Sequence, residues 1–284
     1  MSRASSTSQR LKEAVRRSAP FAPILLRWAR EFLRPQRLDP DSLRVYEALF
    51  PPPTDPTVLA GPFAGMRYPT LASGSTLLPK LVGTYEMELH GVISAILATR
   101  YERIVNIGAA EGYYAVGLAR AAPGWPPVVA FDTEIVARRR LRRLAASNGV
   151  EDRIEVRGAC QPKDLRELVG SGTLVLSDCE GAEDELLDPT KVPSLQDADL
   201  LVELHGHRDP GLPQRVVDRF RASHRVELIV PAPRDLSRHP ELCRLSEADR
   251  ALAAAERRAG TEIWAWATSR AGGGATAGRA ADRP

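Results

Sequence analysis

The 284-residue sequence predicts an α/β fold in which helices alternate with the strands of a mostly parallel sheet. Short apolar runs suited to buried strands alternate along the chain with segments of helical apolar spacing. The run at 104–107 leads at once into a glycine-containing turn and a helix, as at the ligand edge of a nucleotide-binding sheet. Two other runs end in the acidic residues Asp132 and Asp178, which a parallel sheet would bring to that same edge.

The individual strands and helices follow from these patterns. Seven runs rich in apolar residues are the predicted strands, at 104–107, 128–131, 154–156, 173–177, 200–205, 225–230 and 261–268. Apolar residues recur at helical spacing over 89–97 and 113–120, which predicts helices before and after the first glycine turn. A third helix is predicted from about Ile135 to the C-cap signal Asn148-Gly149, and a fourth from a capping-box start at Ser246 to Gly260.

The turn after the first predicted strand has the spacing of a nucleotide-cofactor site. Its small residues are Gly108, Ala110 and Gly112, a G-x-G-x-G pattern. A dinucleotide fingerprint would need a small residue at position 113, where Tyr113 is too bulky for close approach to a pyrophosphate. Asp132 follows the second strand about 20 residues after the turn, where a carboxylate can accept hydrogen bonds from both hydroxyls of a ribose. The pattern favours an adenosine-bearing cofactor without a pyrophosphate.

These residues resemble motif I of the class I S-adenosylmethionine-dependent methyltransferases. The resemblance implies S-adenosyl-L-methionine as the cofactor and a Rossmann-like class I methyltransferase fold. In that fold a seven-stranded, mostly parallel sheet has its last strand antiparallel, between strands five and six. Asn106 stands just before the turn, where this superfamily usually carries a carboxylate, and its amide can orient the turn. Tyr113 or Tyr114 could offer a ring face to the sulfonium.

A second region is also expected to reach the cofactor. Tyr85 and Glu86 precede the helix at 89–97 and would lie near the cleft if that helix covers the sheet edge. The predicted cofactor-binding set is Tyr85, Glu86, Asn106, Gly108, Ala110, Glu111, Gly112, Tyr113, Asp132 and Asp178.

A second motif follows the fourth predicted strand. Asp178-Cys-Glu-Gly-Ala-Glu183 resembles the D-V-E-G-A-E element of the FkbM-type methyltransferases, with Cys179 where that family commonly has an apolar residue. The resemblance covers roughly residues 81–268. It implies methylation of an oxygen, often a hydroxyl of a sugar or polyketide.

His205 ends the fifth predicted strand and is the predicted catalytic base. A hydroxyl is a poor nucleophile near neutral pH, so a carboxylate or imidazole must remove its proton. Asp178 and Glu180 are predicted to orient the acceptor or the cofactor. A structural His205, bonded to a neighbouring loop, is the alternative. With Glu203 these residues could also hold a divalent metal, but we expect a site without metal because no ligand spacing on one helix supports one.

Composition and charge limit the partners that the sequence predicts. The net charge of +3 at pH 7 does not require nucleic acid. The arginines within 138–143 have no interleaved aromatic residues, so a solvated helix face is favoured over a nucleic-acid patch. The expected partner is a small-molecule or glycan acceptor.

The cysteines and the hydropathy indicate a cytoplasmic chain. Cys160, Cys179 and Cys243 show no C-x-x-C spacing, which favours reduced thiols over a disulfide framework. The chain has no run of eighteen apolar residues, so no transmembrane helix is predicted. The N-terminus also lacks the apolar core of a secretion signal.

Three segments are predicted along the chain. Residues 1–80 form an N-terminal arm and Pro-rich linker, residues 81–270 the methyltransferase domain, and residues 271–284 a disordered tail. The arm carries an amphipathic, basic helix near 20–34. Packing against the domain is favoured for this helix, and contact with a membrane surface is the alternative.

Three functions from different classes remain open on the sequence. The leading hypothesis is an S-adenosylmethionine-dependent methyltransferase acting on a hydroxyl of a glycan or other polyhydroxylated small molecule. The second is an NAD-linked oxidoreductase, against which Tyr113 argues. The third is a non-catalytic, methyltransferase-like scaffold, which Asn106 and Ala110 keep open.

Overall fold

The structure, a computed structural model, describes residues 38–271 apart from 52–54, 70, 208, 235, 237, 238, 259 and 261. These residues belong to one compact unit, Leu38–Pro284. The amphipathic helix predicted near 20–34 and the tail predicted beyond Ala271 lie outside the described residues. Within the described ranges, none of the helices combines the length and the apolarity that crossing a bilayer requires.

Seven strands form one sheet. They are β1 (Arg103–Ile107), β2 (Val128–Phe131), β3 (Ile154–Arg157), β4 (Thr173–Ser177), β5 (Asp199–Leu204), β6 (His224–Ile229) and β7 (Ile263–Ser269). Their order is β3-β2-β1-β4-β5-β7-β6, with β7 antiparallel to both of its neighbours and the other pairs parallel. The sheet is mostly parallel, and its last strand is antiparallel and lies between strands five and six, as the resemblance to class I methyltransferases implied, so the predicted fold class is confirmed.

Helices connect and cover these strands. They are α1 (Pro40–Leu49), α2 (Leu77–Val82), α3 (His90–Ala98), α4 (Tyr113–Ala121), α5 (Ile135–Ser147), α6 (Pro162–Leu168), α7 (Glu183–Leu186), α8 (Leu212–Phe220) and α9 (Glu247–Ala254). The start predicted for the last helix is correct, because the Ser246 side chain accepts a hydrogen bond from the Asp249 N–H. Its predicted end at Gly260 is wrong, since the helix ends at Ala254 and Arg257 has a left-handed backbone, with φ +51°.

Both faces of the sheet are buried, as alternation of side chains along central strands requires. One face carries Ile104, Leu174 and Trp264 and packs against α3, α4 and α5. The opposite face carries Val105 and Val175 and packs against α6, α7 and α8. The carboxyl ends of the parallel strands therefore open on one edge, where the loops that follow β1, β2, β4 and β5 meet.

The segment before α3 is part of the same core. Its apolar side chains, among them Phe63 and Met66, pack with the residues of α4 on the first face of the sheet. The domain boundary expected near residue 81 falls inside this compact unit. Contact is closest at Gly117 in α4, where a Cβ atom would lie 2.6 Å from the Phe63 ring.

We expect Gly117→Ala to destabilise the protein by about 1–3 kcal/mol, because the added methyl group overpacks the contact with Phe63. The matched control is Gly91→Ala, since Gly91 is also helical and a Cβ atom there would meet nothing within 4 Å. That control should be neutral or stabilise the fold by up to about 1 kcal/mol. Urea unfolding of both variants is the measurement, and equal effects would show that Phe63 does not lie against α4.

Candidate active site

The turn between β1 and α4 is held against the end of β4. Gly108, Ala110 and Gly112 all have left-handed backbones, with φ values of +73°, +49° and +100°. A Cβ atom on Gly108 would lie 1.6 Å from the carbonyl oxygen of Asp178, so only glycine allows this approach. The predicted turn therefore begins α4 and also brings the end of β1 into close contact with the end of β4.

Asp132 ties the turn to the end of β2. Its Oδ2 accepts a hydrogen bond from the Ala110 N–H at 2.7 Å, and its Oδ1 accepts one from the Glu134 N–H, also at 2.7 Å. Burial raises the pKa of Asp132, and these two backbone hydrogen bonds oppose that rise. Each carboxylate oxygen has a second lone pair. Asp132 is thus placed at the turn with acceptor capacity for ribose hydroxyls.

Two of the predicted cofactor residues lie within the protein interior. Asn106 is buried, its Nδ2 lies 3.5 Å from the Leu176 carbonyl oxygen, and its Oδ1 has no hydrogen-bond partner. The ring of Tyr113 is enclosed by edge-on contacts with other aromatic rings, including those of Phe63 and Tyr85. These contacts leave the ring of Tyr113 packed as part of an aromatic cluster.

Glu111 bonds to the segment that precedes α3. Its buried carboxylate pairs with Lys80, accepts a hydrogen bond from the Tyr68 hydroxyl and accepts another from the Ser73 N–H at 2.6 Å. The Lys80 ammonium also lies 4.7 Å from the centroid of the Tyr85 ring. Glu111 therefore anchors the turn to residues far from it in sequence. The Tyr85 ring lies against Lys80, the partner of Glu111.

The three predicted catalytic residues come together at the carboxyl ends of β4 and β5. His205 Nε2 lies 3.5 Å from Asp178 Oδ1, 3.5 Å from Glu180 Oε2 and 3.4 Å from Glu203 Oε2. The opposite ring nitrogen, Nδ1, lies 2.8 Å from Glu183 Oε1. Glu180 reaches this position from a left-handed backbone, with φ +59°. We call these five side chains the acid–imidazole cluster.

Burial and mutual charge shift the pKa values of this cluster. Burial alone would lower the pKa of His205, but the hydrogen bond and charge of Glu183 raise it to about 8. Burial would raise the pKa of Glu183, and the His205 contact overcomes this and lowers it. Burial, followed by the charge of Glu203, raises the pKa of Asp178 well above its usual range. The cluster places three carboxyl groups around one imidazole nitrogen, His205 Nε2.

Arg258 is a site residue that the sequence did not indicate. Its guanidinium bonds to Glu203 Oε1 at 2.7 Å and Glu256 Oε2 at 2.6 Å, and it also pairs with Glu86. The Tyr114 hydroxyl donates to Glu86 as well, and burial is the main reason that the pKa of Glu86 rises to about 7. Glu86, predicted as a cofactor contact, is thus bonded to Arg258 beside the cluster. No local pattern marks Arg258 as a site residue, because Glu86 and Glu203 come from distant parts of the chain.

Known proteins offer only distant likenesses. No protein-family model and no curated protein matches the chain. Similar solved structures include cofactor-bound Rv0187 from MTB, at 15% identity over 82% of this chain and 90% of that one, with a TM-score of 0.46. An O-methyltransferase from Bacillus cereus in complex with SAH has 12% identity over 66% and 82%, with a TM-score of 0.43. The O-methyltransferase TomG from Streptomyces achromogenes, involved in tomaymycin synthesis and in complex with SAM, has 17% identity over 67% and 83%, with a TM-score of 0.42. With every TM-score below 0.5, these likenesses decide nothing about activity.

Proposed function

We propose that the protein is an S-adenosylmethionine-dependent methyltransferase that methylates a hydroxyl of a glycan or another polyhydroxylated small molecule. One observation carries this proposal. Asp178 touches the glycine turn through its carbonyl oxygen, next to Gly108, and belongs to the acid–imidazole cluster through its carboxylate. A cofactor at the turn and an acceptor at the cluster would therefore be neighbours.

The turn suits a cofactor that has a ribose but no pyrophosphate. Asp132 supplies the acceptor for the ribose hydroxyls at the end of β2. At the position of the third glycine of a dinucleotide fingerprint, Tyr113 fills the space with a packed ring. An NAD-linked oxidoreductase is disfavoured for that reason.

The cluster suits transfer to an oxygen. In the reaction the acceptor oxygen forms a bond to the methyl carbon, the carbon–sulfur bond breaks, and its electron pair neutralises the sulfonium. The hydroxyl proton must leave the oxygen, and we propose that His205 activates the hydroxyl while Asp178 and Glu180 orient it. The D-V-E-G-A-E-like element at 178–183, with its resemblance to FkbM-type enzymes, supports a sugar-like acceptor.

The first test is calorimetric titration with S-adenosylhomocysteine. We expect micromolar binding by the full chain and a loss of at least tenfold in affinity for Asp132→Ala, because the ribose acceptor is removed. Asp152→Ala is the matched control, because Asp152 is an exposed aspartate that follows the C-terminal end of α5. This substitution should leave the affinity unchanged. NAD, titrated in parallel, should not bind.

Failure of the intact protein to bind S-adenosylhomocysteine would remove the enzyme proposal. It would favour the non-catalytic scaffold, for which Asn106 and Ala110 are the specific observations. Binding of NAD would instead revive the oxidoreductase.

A further inference from the structure

We propose that His205 Nε2, Asp178 and Glu203 bind one divalent cation of the Mn²⁺ or Mg²⁺ class. The sequence favoured a site without metal, and the side-chain geometry points the other way. The role of the cation in activating a hydroxyl rests on the proposed methyl transfer, whereas its binding does not.

The three ligand atoms are close enough for a single ion. In the part of the chain that the structure describes, this is the one group of three or more such side chains whose ligand atoms all lie within 4.8 Å of one another. Neighbouring ligands of an octahedral Mg²⁺ ion, each about 2.1 Å from it and at right angles, lie about 3.0 Å apart. His205 Nε2 lies 3.5 Å from Asp178 Oδ1 and 3.4 Å from Glu203 Oε2, so a contraction of roughly half an ångström would bring these pairs to that spacing.

Neighbouring groups orient two of the ligands. Glu183 Oε1 accepts a hydrogen bond from His205 Nδ1 at 2.8 Å, so that when a cation displaces the proton on Nε2, the Nε2 lone pair faces the cluster. Metal-bound histidines are usually held by a carboxylate in this way. Arg258 bonds to Glu203 through Oε1, and Glu203 Oε2 is the oxygen that lies 3.4 Å from His205 Nε2.

A separate observation concerns Asp178. Its Oδ1 is buried and has no hydrogen-bond partner, although it lies 3.5 Å from His205 Nε2. A buried carboxylate oxygen without a partner is costly, and a cation at this point would compensate it. Glu180 Oε2 lies at the same distance from Nε2, so a fourth ligand is within reach.

The ligand chemistry favours a hard or borderline ion. Two or three carboxylates with one imidazole suit Mn²⁺ or Mg²⁺, while thiol ligands for softer metals are not part of the group. An acceptor hydroxyl bound to the ion would lose its proton more readily. With the ion bound, His205 would be a ligand that helps to place the acceptor instead of activating the hydroxyl directly, and a carboxylate of the cluster that does not bind the ion would take the proton.

The test is titration of the chelator-treated full chain with MnCl₂, followed by electron paramagnetic resonance of free Mn²⁺. We expect one ion per chain with micromolar affinity, weakened at least tenfold by Asp178→Asn and by Glu203→Gln. Glu185→Gln is the matched control, because Glu185 is exposed on α7 and should bind Mn²⁺ as the parent does. If Glu203→Gln loses Arg258 and fails to fold, the near-isosteric Asp178→Asn, checked by thermal denaturation, still decides the question.

Two results would overturn the metal site: no stoichiometric binding of Mn²⁺, or binding that both ligand variants leave unchanged. The former would mean that a protonated His205 and the Arg258 guanidinium together balance the carboxylates. Titration of the same samples with S-adenosylhomocysteine separates the two proposals. Cofactor binding without Mn²⁺ binding removes only the metal site, and Mn²⁺ binding without cofactor binding removes only the methyltransferase.

Discussion

Gly108→Ala is expected to destabilise the protein by roughly 3 kcal/mol and to abolish binding of S-adenosylhomocysteine. The substitution combines left-handed backbone strain of about 1–2 kcal/mol with overpacking of about 1–3 kcal/mol. A Cβ atom 1.6 Å from the Asp178 carbonyl oxygen cannot be accommodated unless β1 and β4 move apart at their carboxyl ends. The turn and the acid–imidazole cluster would be displaced together. Urea unfolding and calorimetric titration measure the two effects.

Two other glycines separate the causes of this effect. Gly149 has a similar φ of +65°, but a Cβ atom there meets nothing within 4 Å, so Gly149→Ala should show only the strain, about 1 kcal/mol. Gly158 has open space and no left-handed backbone, and Gly158→Ala should change stability by less than about 0.5 kcal/mol. If Gly108→Ala costs no more than Gly149→Ala, the close approach to Asp178 does not exist.

Lys80→Met should cost about 3–5 kcal/mol of stability, because it leaves the Glu111 carboxylate buried without its cation. The side chains of Lys80 and Glu111 are 3% and 0% exposed, so water cannot take the place of the ammonium. Tyr68 and Ser73 would still donate hydrogen bonds to the carboxylate, but neither carries a charge. Since Glu111 lies in the glycine turn, affinity for S-adenosylhomocysteine should fall as well.

The double variant Lys80→Met with Glu111→Gln should recover much of this loss, since it removes the buried charge together with its partner. An exposed ion pair provides the comparison. Arg67 and Asp55 pair at 2.8 Å with side chains 56% and 60% exposed, and Asp55→Asn should cost less than about 1 kcal/mol. A Lys80→Met variant as stable as Asp55→Asn would show that the Lys80–Glu111 pair is not buried.

The sheet could be predicted from the sequence because its signals are local. Apolar runs marked all seven strands to within a few residues, and the resemblance of the Gly108 turn supplied the place and direction of the last strand. Asp178, Glu180 and His205 were predicted to share a site because each follows a strand whose carboxyl end must lie at one edge of the sheet. The structure places Asp178 Oδ1 and Glu180 Oε2 each 3.5 Å from His205 Nε2.

Local sequence patterns could not predict contacts between residues that are far apart in the chain. The position of Glu111 in the glycine turn suggested a cofactor contact, yet its carboxylate pairs with Lys80, 31 residues earlier. Gly260, read as a C-cap signal, placed the end of α9 too late, because the helix ends at Ala254. Arg258 lies beyond that end and bonds to Glu86, 172 residues away.

The sequence by itself determined which residues form strands, where the glycine turn lies and which acidic residues meet at the sheet edge. These properties depend on the backbone preferences of the residues and on which face of each strand or helix is buried. Both leave a periodic pattern of residue types in the sequence. Only the tertiary structure decided which buried charges pair, because an ion pair depends on the distance between two side chains in space. The cation site proposed at Asp178, Glu203 and His205 belongs to this second kind: its residue types are visible in the sequence, and its geometry comes from the fold.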